Sequence, residues 1–189
     1  MSEYDKIAEW YAKTRSPGIG VPEVARLKDL LPPKAEVLDL GCGNGLPITR
    51  ALVDMGFYVY GIDASQAMVR LFRRNLPDVP VLCEPAECSD FFGKQFDAVV
   101  CWGMLFHLTP HDQALVIQKV AERLKTGGVF LFTSGDREGE VESEMNGVSF
   151  RYISLGSDGY RKLLDEVGLT VVDERFDPHD NYVYVAQRM

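Results

Sequence analysis

The sequence predicts an α/β fold in which a mostly parallel sheet of seven strands is covered by helices on both faces. Five apolar strand-like runs alternate with single amphipathic helices between Glu36 and Ser134. Strands that are apolar throughout need cover on both faces, which is typical of parallel sheets. Two more strand-like runs follow, joined by only the five residues DPHDN. So short a connection permits only an antiparallel C-terminal hairpin.

The first 35 residues predict a short helical cap. Apolar side chains recur at helical spacing from Tyr4 to Tyr11, and Ser2 is available as the N-cap. The run SPGIG ends this helix. Pro22 can open a second short helix, which Pro32 and Pro33 end before the first strand-like run.

Predicted strands and helices alternate along the next part of the chain, from residue 36 to residue 134. Strands are predicted at 36–41, 58–63, 79–83, 96–102 and 128–134. Helices are predicted from Ile48 to Gly56, from the N-cap Ser65 to just before Pro77, and from the N-cap Thr109 up to the glycines at 127 and 128.

The C-terminal part does not continue this alternation of strands and helices. A helix is predicted after Ser157 and ends at Gly168, and the antiparallel strands are predicted at 169–176 and 182–189. The acidic segment 136–147 is interpreted as a long loop, which is also where a substrate lid would lie. We therefore expect one domain over 1–189, composed of a helical cap (1–35), a sheet-forming half (36–135) and a part with loop, helix and terminal hairpin that completes it (136–189).

Composition excludes several classes of function. The 189 residues carry a net charge of −8, and residues 136–189 hold 12 acidic against 6 basic side chains. Nucleic-acid binding needs a basic face, so a DNA or RNA partner is disfavoured. The cysteines at 42, 83, 88 and 101 have no metal-site spacing and predict free thiols. With no apolar leader or membrane-spanning run, we expect a cytoplasmic protein without a metal or membrane partner.

The most informative segment is VLDLGCGNG, in which an apolar strand ends in Gly41, Gly43 and Gly45 before a helix begins. Bare backbone can approach a ligand there, at the positive end of the helix. Asp63 ends the second strand, 20 residues after Gly43, where its carboxylate can accept both hydroxyls of a ribose. Together they indicate a nucleoside-containing ligand. The dinucleotide pattern G-x-G-x-x-G/A fails in both frames, because Leu46 or Ile48 stands at its last position.

The pattern G-x-G-x-G preceded by Asp39, with GID at 61–63 and the terminal hairpin, resembles the class I S-adenosylmethionine-dependent methyltransferases. The resemblance extends from about residue 36 to the end and implies a Rossmann-like fold. The segment WGMLFHLTPHDQ further resembles a group of small bacterial methyltransferases of that class.

The resemblance implies a set of cofactor contacts. The backbone of 41–45 would cradle the amino-acid part of S-adenosylmethionine, Asp39 would contribute a carboxylate, and Asp63 would hold the ribose hydroxyls. The family's adenine-binding acid is replaced by Pro85 in CEPAEC, so Glu84 or Glu87 would substitute, or Ala86 would act through its backbone. The predicted cofactor-binding residues are Tyr11, Arg15, Asp39, Gly41, Cys42, Gly43, Asp63, Ala64, Met68, Ala86, Glu87, Cys101 and Trp102.

Several of these residues also have a purely structural interpretation. Trp102 either packs on adenine or fills the core. Tyr4, Tyr11 and Arg15 either cover the cofactor carboxylate or pack in the core. Cys42 and Cys101 lie beside the expected site without an adjacent base, which favours small apolar fillers over nucleophiles.

The function predicted is methyl transfer to a small-molecule acceptor by in-line displacement. An oxygen or nitrogen acceptor would need a base, with His107 the first candidate and Tyr152 the second, whereas a thiolate or thioether acceptor would need none. A buried structural role is the other interpretation of His107. The alternative function is a non-catalytic domain that binds S-adenosylmethionine as a regulator or partner-binding subunit. A dehydrogenase is the third possible function, and the missing last glycine of the dinucleotide pattern argues against it. The motifs specify neither the acceptor nor the oligomeric state.

Overall fold

The computed structural model describes residues 2–189 and is built on one seven-stranded sheet. Its strands follow the order β3-β2-β1-β4-β5-β9-β8. They are β1 (Glu36–Leu40), β2 (Tyr58–Asp63), β3 (Val81–Cys83), β4 (Phe96–Cys101), β5 (Leu124–Ser134), β8 (Leu169–Phe176) and β9 (Tyr182–Arg188). β1 to β5 are parallel, and β9 pairs antiparallel with both β5 and β8. The predicted fold class is confirmed.

Seven helices surround the sheet in the described residues. They are α1 (Tyr4–Thr14), α2 (Val21–Ala25), α3 (Leu27–Leu30), α4 (Ile48–Asp54), α5 (Gln66–Asn75), α6 (Pro110–Arg123) and α7 (Gly156–Glu166). Two of the three predicted side-chain caps are present, whereas α1 has Glu3 rather than Ser2 at its N-cap position and no side-chain cap hydrogen bond. Ser65 accepts a hydrogen bond from the amide of Met68 at 3.2 Å, and Thr109 accepts one from the amide of Asp112 at 3.2 Å.

The two faces of the sheet have separate apolar cores. On one face, Leu38 and Leu40 of β1 pack with buried side chains of α6 and α7. On the other face, Val37 packs with residues of α2, α3 and α4, including Leu52. Because side chains alternate along a strand, Asp39 shares the face of Val37 and points toward α4.

The segment 136–147 is not a loop, and this prediction was wrong. Residues Glu138–Met145 (β6) and Val148–Leu155 (β7) form a separate two-stranded antiparallel sheet. Its turn is Asn146-Gly147, and both residues have the positive φ that such two-residue hairpin turns require. β6 is exposed along nearly its whole length, so it lacks the apolar alternation that marks a half-buried strand.

Several predicted boundaries also shift, and β5 starts at Leu124 rather than at residue 128. α6 ends at Arg123 rather than at the glycine pair, because β5 already pairs with β4 at Leu124 before a register irregularity. β3 starts at Val81 rather than at residue 79. Pro80 has no amide to donate to the ladder, which explains the later start.

Candidate active site

The glycine loop after β1 is held against the end of β2. The carbonyl of Ile62 accepts hydrogen bonds from the amides of Gly41 at 2.8 Å and Cys42 at 3.0 Å. Gly41 has φ +80°, and a Cβ there would lie 2.4 Å from the Cβ of Met104. A Cβ on Gly43, by contrast, would meet no atom of the described residues within 4 Å. The loop therefore packs tightly at Gly41 and leaves the backbone of Gly43 accessible.

Asp63 connects this loop to the start of α5. Its Oδ2 accepts the amide of Gly43 at 2.8 Å, and its Oδ1 accepts the amide of Ser65 at 2.8 Å. Burial raises the pKa of Asp63, and the two amide hydrogen bonds oppose this rise. Each oxygen retains lone-pair capacity for a further donor. The carboxylate is thus fixed in position and able to accept hydroxyl groups.

Asp39 is fully buried beneath the same loop. Its Oδ2 accepts a 2.5 Å hydrogen bond from the hydroxyl of Thr49 in α4. Burial raises the pKa of Asp39 to about 7, against the opposing effect of the Thr49 hydrogen bond. Two carboxyl groups, one partly protonated at neutral pH, therefore lie at the carboxyl ends of neighbouring strands.

A cavity of about 640 Å³ opens at this edge of the sheet. Its lining includes most of the cofactor-binding residues that the sequence predicts, and it also includes the predicted base His107. These are Tyr11, Arg15, Asp39, Gly41, Cys42, Gly43, Asp63, Ala64, Met68, Ala86, Glu87, Trp102 and His107. The volume lies in the range of small-molecule and cofactor pockets.

Cys101 is the predicted site residue that the structure does not bring to this cavity lining in the described part of the chain. It is fully buried in the core on the α6 and α7 face of the sheet. Burial raises the pKa of its thiol far above the usual range. Cys42 lines the cavity and its thiol pKa is also raised, first by burial and then by Asp39 and Asp63. Neither thiol is a thiolate nucleophile at neutral pH.

The loop after β3 contributes another wall. The amide of Glu84 donates to the carbonyl of Asp63 at 3.1 Å, which fixes the loop beside that carboxylate. Glu84, Pro85, Ala86 and Glu87 all line the cavity. Ala86 is buried, whereas the glutamates are not fully buried. The loop therefore contributes two half-buried glutamates and the buried Ala86 to the cavity wall.

Trp102 follows β4 and lies beneath the cap. A Cβ on Gly20 would fall 2.6 Å from the Trp102 ring, so the connection between α1 and α2 packs directly on the indole. The same residue lines the cavity. It therefore belongs both to the core and to the cavity wall.

The cap helix α1 is attached across the cavity by one carboxylate. Oδ1 of Asp5 accepts hydrogen bonds from the hydroxyl of Ser65 at 2.7 Å and from the amide of Ala67 at 2.9 Å. Further along the helix, Arg15 donates to the hydroxyl of Tyr11. These contacts place Tyr11 and Arg15 on the cavity wall.

His107 lies in a short 3₁₀ turn, Leu105–His107, after β4. Its Nε2 is 3.1 Å from the hydroxyl of Tyr4, and its Nδ1 is 3.3 Å from the carbonyl oxygen of Arg151. Burial lowers the pKa of His107, with smaller opposing contributions from the Arg151 carbonyl and Glu3. Tyr152, the second base candidate, packs on the imidazole with ring centroids 5.0 Å apart.

The sequence predicts a loop and possible lid in this region, but not the β6-β7 hairpin that lines the cavity. Glu142, Ser149, Phe150 and Arg151 line the cavity, and the Arg151 carbonyl reaches the His107 ring. The available signal for a hairpin was the dipeptide Asn146-Gly147, which lies between two segments long enough to form strands. The high charge of β6 instead favoured the prediction of a solvated loop.

Within residues 2–189, the His, Cys, Asp and Glu side chains form no group of three or more arranged to hold a metal ion. Over the same residues, no helix has both the length and the apolar character needed to cross a bilayer. All four cysteines fall in this part of the chain and are free.

Comparison with known families and sequences points in one direction. A family model described as a methyltransferase domain matches residues 37–128. The ubiquinone biosynthesis O-methyltransferase of Xanthomonas campestris is 34% identical over 110 residues, which cover 56% of this chain and 45% of that protein. A putative methyltransferase of Bacillus subtilis, YqeM, is 35% identical over 107 residues, covering 54% and 43%. The chain thus spans about half the length of the curated relatives it matches.

Solved structures share the whole fold at low sequence identity. The CcbJ methyltransferase of Streptomyces caelestis aligns with a TM-score of 0.82 and 18% identity, covering 100% of this chain and 98% of that one. An S-adenosylmethionine-bound amino pentose methyltransferase of Micromonospora echinaspora aligns with a TM-score of 0.77 and 19% identity, with the same coverage. At these identities the likeness establishes the fold alone.

Proposed function

We propose that this chain, which belongs to the class I S-adenosylmethionine-dependent methyltransferases, transfers a methyl group from that cofactor to a small-molecule acceptor. The observation that carries the proposal is the half-buried Asp63 carboxylate, which lines the cavity and accepts a hydrogen bond from the Gly43 amide. A fixed carboxylate beside accessible glycine backbone is a suitable receptor for a ribose with an attached charged chain.

The residues present fit the cofactor. The cavity is large enough for a nucleoside with its amino-acid chain, and a Cβ at Gly43 would meet no neighbour among the described residues, so ligand atoms can approach the backbone there. We assign binding of the ribose hydroxyls to Asp63 and binding of the amino-acid part to the backbone of 41–45. Asp39 contributes its carboxyl group beneath that loop. The cofactor-binding set proposed is Tyr11, Arg15, Asp39, Gly41, Cys42, Gly43, Asp63, Ala64, Met68, Ala86, Glu87 and Trp102.

When bound, the cofactor supplies a methyl group carried on a positively charged sulfur. The protein's main contribution is alignment, since holding two reactants in line can lower a barrier by about 7–11 kcal/mol in favourable cases. The cap helix α1, the loop after β4 and the β6-β7 hairpin surround the remaining part of the cavity. They exclude water and position the acceptor. His107 is the base we assign when the acceptor must lose a proton.

A small-molecule acceptor is favoured by the shape and charge of the site. The cavity is concave and its lining contains few basic residues, Arg15 and Arg151, both already engaged with Tyr11 and Glu140. Such a surface offers little attraction to nucleic-acid phosphates. The names of similar proteins include an O-methyltransferase and an amino pentose methyltransferase, which supports a small-molecule acceptor.

The proposal includes organisation and compartment. The chain acts as a single domain, with 1–35 as cap, 36–135 as cofactor-binding half and 136–189 as the part that completes sheet and cavity. The cytoplasm is the assigned compartment, since four free cysteines, two of them exposed, suit a reducing environment.

Isothermal titration of the full chain with S-adenosylmethionine tests cofactor binding, and formation of S-adenosylhomocysteine with a panel of small phenols, amines and thiols tests catalysis. Binding together with turnover supports the proposal. Absence of binding at millimolar cofactor contradicts it. Binding without turnover, with a partner protein recovered, favours the non-catalytic alternative, and tighter binding of a nicotinamide dinucleotide would favour a dehydrogenase.

A further inference from the structure

The cavity wall holds a chain of hydrogen bonds that links three parts of the sequence. Tyr4 lies on α1, His107 in the turn after β4, and Arg151 on β7. The Tyr4 hydroxyl is 3.1 Å from Nε2 of His107, and Nδ1 of the same ring is 3.3 Å from the Arg151 carbonyl oxygen. All three residues line the cavity.

The chemistry of these groups fixes the direction of each hydrogen bond. A backbone carbonyl can only accept, so Nδ1 of His107 carries the hydrogen and donates it to Arg151. In the neutral ring Nε2 is then unprotonated and accepts from the Tyr4 hydroxyl. The Tyr4 oxygen retains its lone pairs, which are free to accept a proton from another group in the cavity.

The surroundings keep this arrangement in place. The Tyr4 ring packs against Tyr11 and Phe150 with centroids 5.3 and 4.9 Å away. Arg151 forms a two-pronged ion pair with Glu140 across the hairpin, which supports the strand carrying the accepting carbonyl. The relay therefore depends on both the cap helix and the hairpin.

The protonation states suit a relay. Burial raises the pKa of the Tyr4 hydroxyl far above its usual range, so it stays protonated and acts as a donor. Burial lowers the pKa of His107, so its ring is neutral at pH 7. The titratable or charged groups facing the imidazole are Tyr4 of α1, Glu3 at the N-cap of that helix, and Arg151 and Tyr152 of β7.

We propose that Tyr4 is a catalytic residue that accepts the proton of an oxygen or nitrogen acceptor while passing its own proton to Nε2 of His107. This inference rests on the proposed function and narrows it to acceptors that carry a removable proton. The acceptor's X–H electron pair stays on X and forms the X–CH₃ bond, while the C–S pair leaves with the cofactor's sulfur. The proton ends on His107, which releases it to solvent as the product leaves.

The first test reads the relay without turnover. Nitrogen-15 spectra of the histidine rings are recorded on the full chain saturated with S-adenosylhomocysteine, with the exposed His111 and His179 as internal references. We expect His107 to be neutral with hydrogen on Nδ1 at pH 7.5, and Tyr4→Phe to move the Nε2 resonance toward that of an unbonded nitrogen. Hydrogen on Nε2, or an unchanged resonance in Tyr4→Phe, overturns the relay.

The second test uses 3,4-dihydroxybenzoate, D-glucosamine and 2-mercaptoethanol as acceptor probes. On the oxygen or nitrogen probe that turns over, Tyr4→Phe should lower kcat by at least about tenfold, with KM for the cofactor unchanged. His107→Gln should lower kcat similarly, and the double variant should lose little more, since the two residues act as one unit. Tyr58→Phe, on an exposed tyrosine of β2, should match the parent chain.

The thiol probe separates proton transfer from packing. At pH 9 it reacts as a thiolate, so any rate on it should change less than about twofold in Tyr4→Phe if the residue moves protons. Unchanged rates on the oxygen and nitrogen probes, or equal losses on all probes, overturn the relay. If the cofactor binds and none of the three probes is methylated, the nitrogen spectra alone decide the relay, and the broader acceptor panel decides the proposed function.

Discussion

Asp5 of α1 and Ser65 at the start of α5 are joined by a 2.7 Å hydrogen bond, in which the serine hydroxyl donates to the carboxylate. The same carboxylate oxygen accepts the amide of Ala67 at 2.9 Å. Asp5 thus caps a helix that lies 60 residues further along the chain, next to Asp63. This attachment fixes α1, and with it Tyr4 and Tyr11, over the cavity.

Replacing Asp5 with alanine should loosen the cap without disturbing the sheet. Two hydrogen bonds are lost, so the free energy of unfolding should fall by about 1–2 kcal/mol. Affinity for S-adenosylmethionine should fall as well, because α1 carries part of the cavity wall. Thermal denaturation and isothermal titration measure the two effects. Glu9→Ala, at an exposed position of the same helix, is the matched control, and equal affinity in the two variants would contradict the assigned role.

Asp39→Asn should stabilise the protein more at pH 8 than at pH 5. The folded-state pKa of about 7 lies above the ordinary value of 3.8, so the folded chain binds a proton that the unfolded chain releases between these values. Stability therefore falls as pH rises through that window. The asparagine oxygen still accepts from Thr49 but does not ionise.

Melting temperatures of both chains at pH 5 and pH 8 test this expectation, with a gain on the order of a few °C at pH 8. The exposed Asp54→Asn serves as the control. A gain of the same size at both pH values would show that ionisation of Asp39 is not the cause.

Asp63→Asn should weaken cofactor binding by roughly 10–100-fold, the loss expected when a hydrogen bond to a charged group is removed. Isothermal titration measures the dissociation constant, and a melting curve checks that the glycine loop remains folded. Asp78→Asn, at an exposed aspartate after α5, should leave the affinity unchanged. Wild-type affinity in Asp63→Asn would refute the assignment of this carboxylate to the ligand.

The two glycines of the loop should respond differently to alanine. At Gly41 the methyl group would collide with Met104, so Gly41→Ala should lower the free energy of unfolding by roughly 2–4 kcal/mol. At Gly43 the methyl group enters open cavity space. Gly43→Ala should cost only about 1 kcal/mol for its positive φ but should reduce cofactor affinity sharply. Equal destabilisation by both substitutions would contradict this difference.

Tyr160→Phe should destabilise the protein by about 1–3 kcal/mol. The buried Tyr160 hydroxyl lies 2.6 Å from Ser134 Oγ and donates to Gln113 Oε1 at 2.7 Å. Gln113 in turn donates to the carbonyls of Leu108 and Ile153, which connects the His107 turn to the hairpin. Chemical denaturation measures the loss, with Tyr58→Phe as the exposed control. A loss no greater than the control's would mean that the network contributes little.

The parts of the fold that follow local rules were predictable. β1, the glycine loop and α4 are adjacent in sequence. They follow from a continuous apolar run, from glycine conformation and from apolar residues at helical spacing, respectively. The position of Asp63 beside the glycine loop was predictable for the same reason, since it ends a strand that pairs directly with β1. The antiparallel terminal hairpin followed from the length of one connection.

The remaining features depend on contacts between distant residues. Neither the Asp5–Ser65 bond nor the Tyr4–His107 bond, which spans 103 positions, has a signature in local sequence. Cys101 lies in the core rather than on the cavity wall, because a residue at a strand's end faces whichever side the pleat assigns. The charged hairpin was misinterpreted because its pairing is decided by backbone hydrogen bonds and the turn.

The position of β9 has a consequence for how the chain is made. β9 follows β8 in sequence yet lies between β5 and β8 in the sheet. During synthesis β8 therefore emerges from the ribosome before the neighbour that joins it to the sheet, and β5 exposes an unpaired edge until Tyr182–Arg188 arrives. Nascent chains that stall before this strand should be prone to edge-to-edge association. Assembly of this side of the sheet is therefore a late step in biosynthesis.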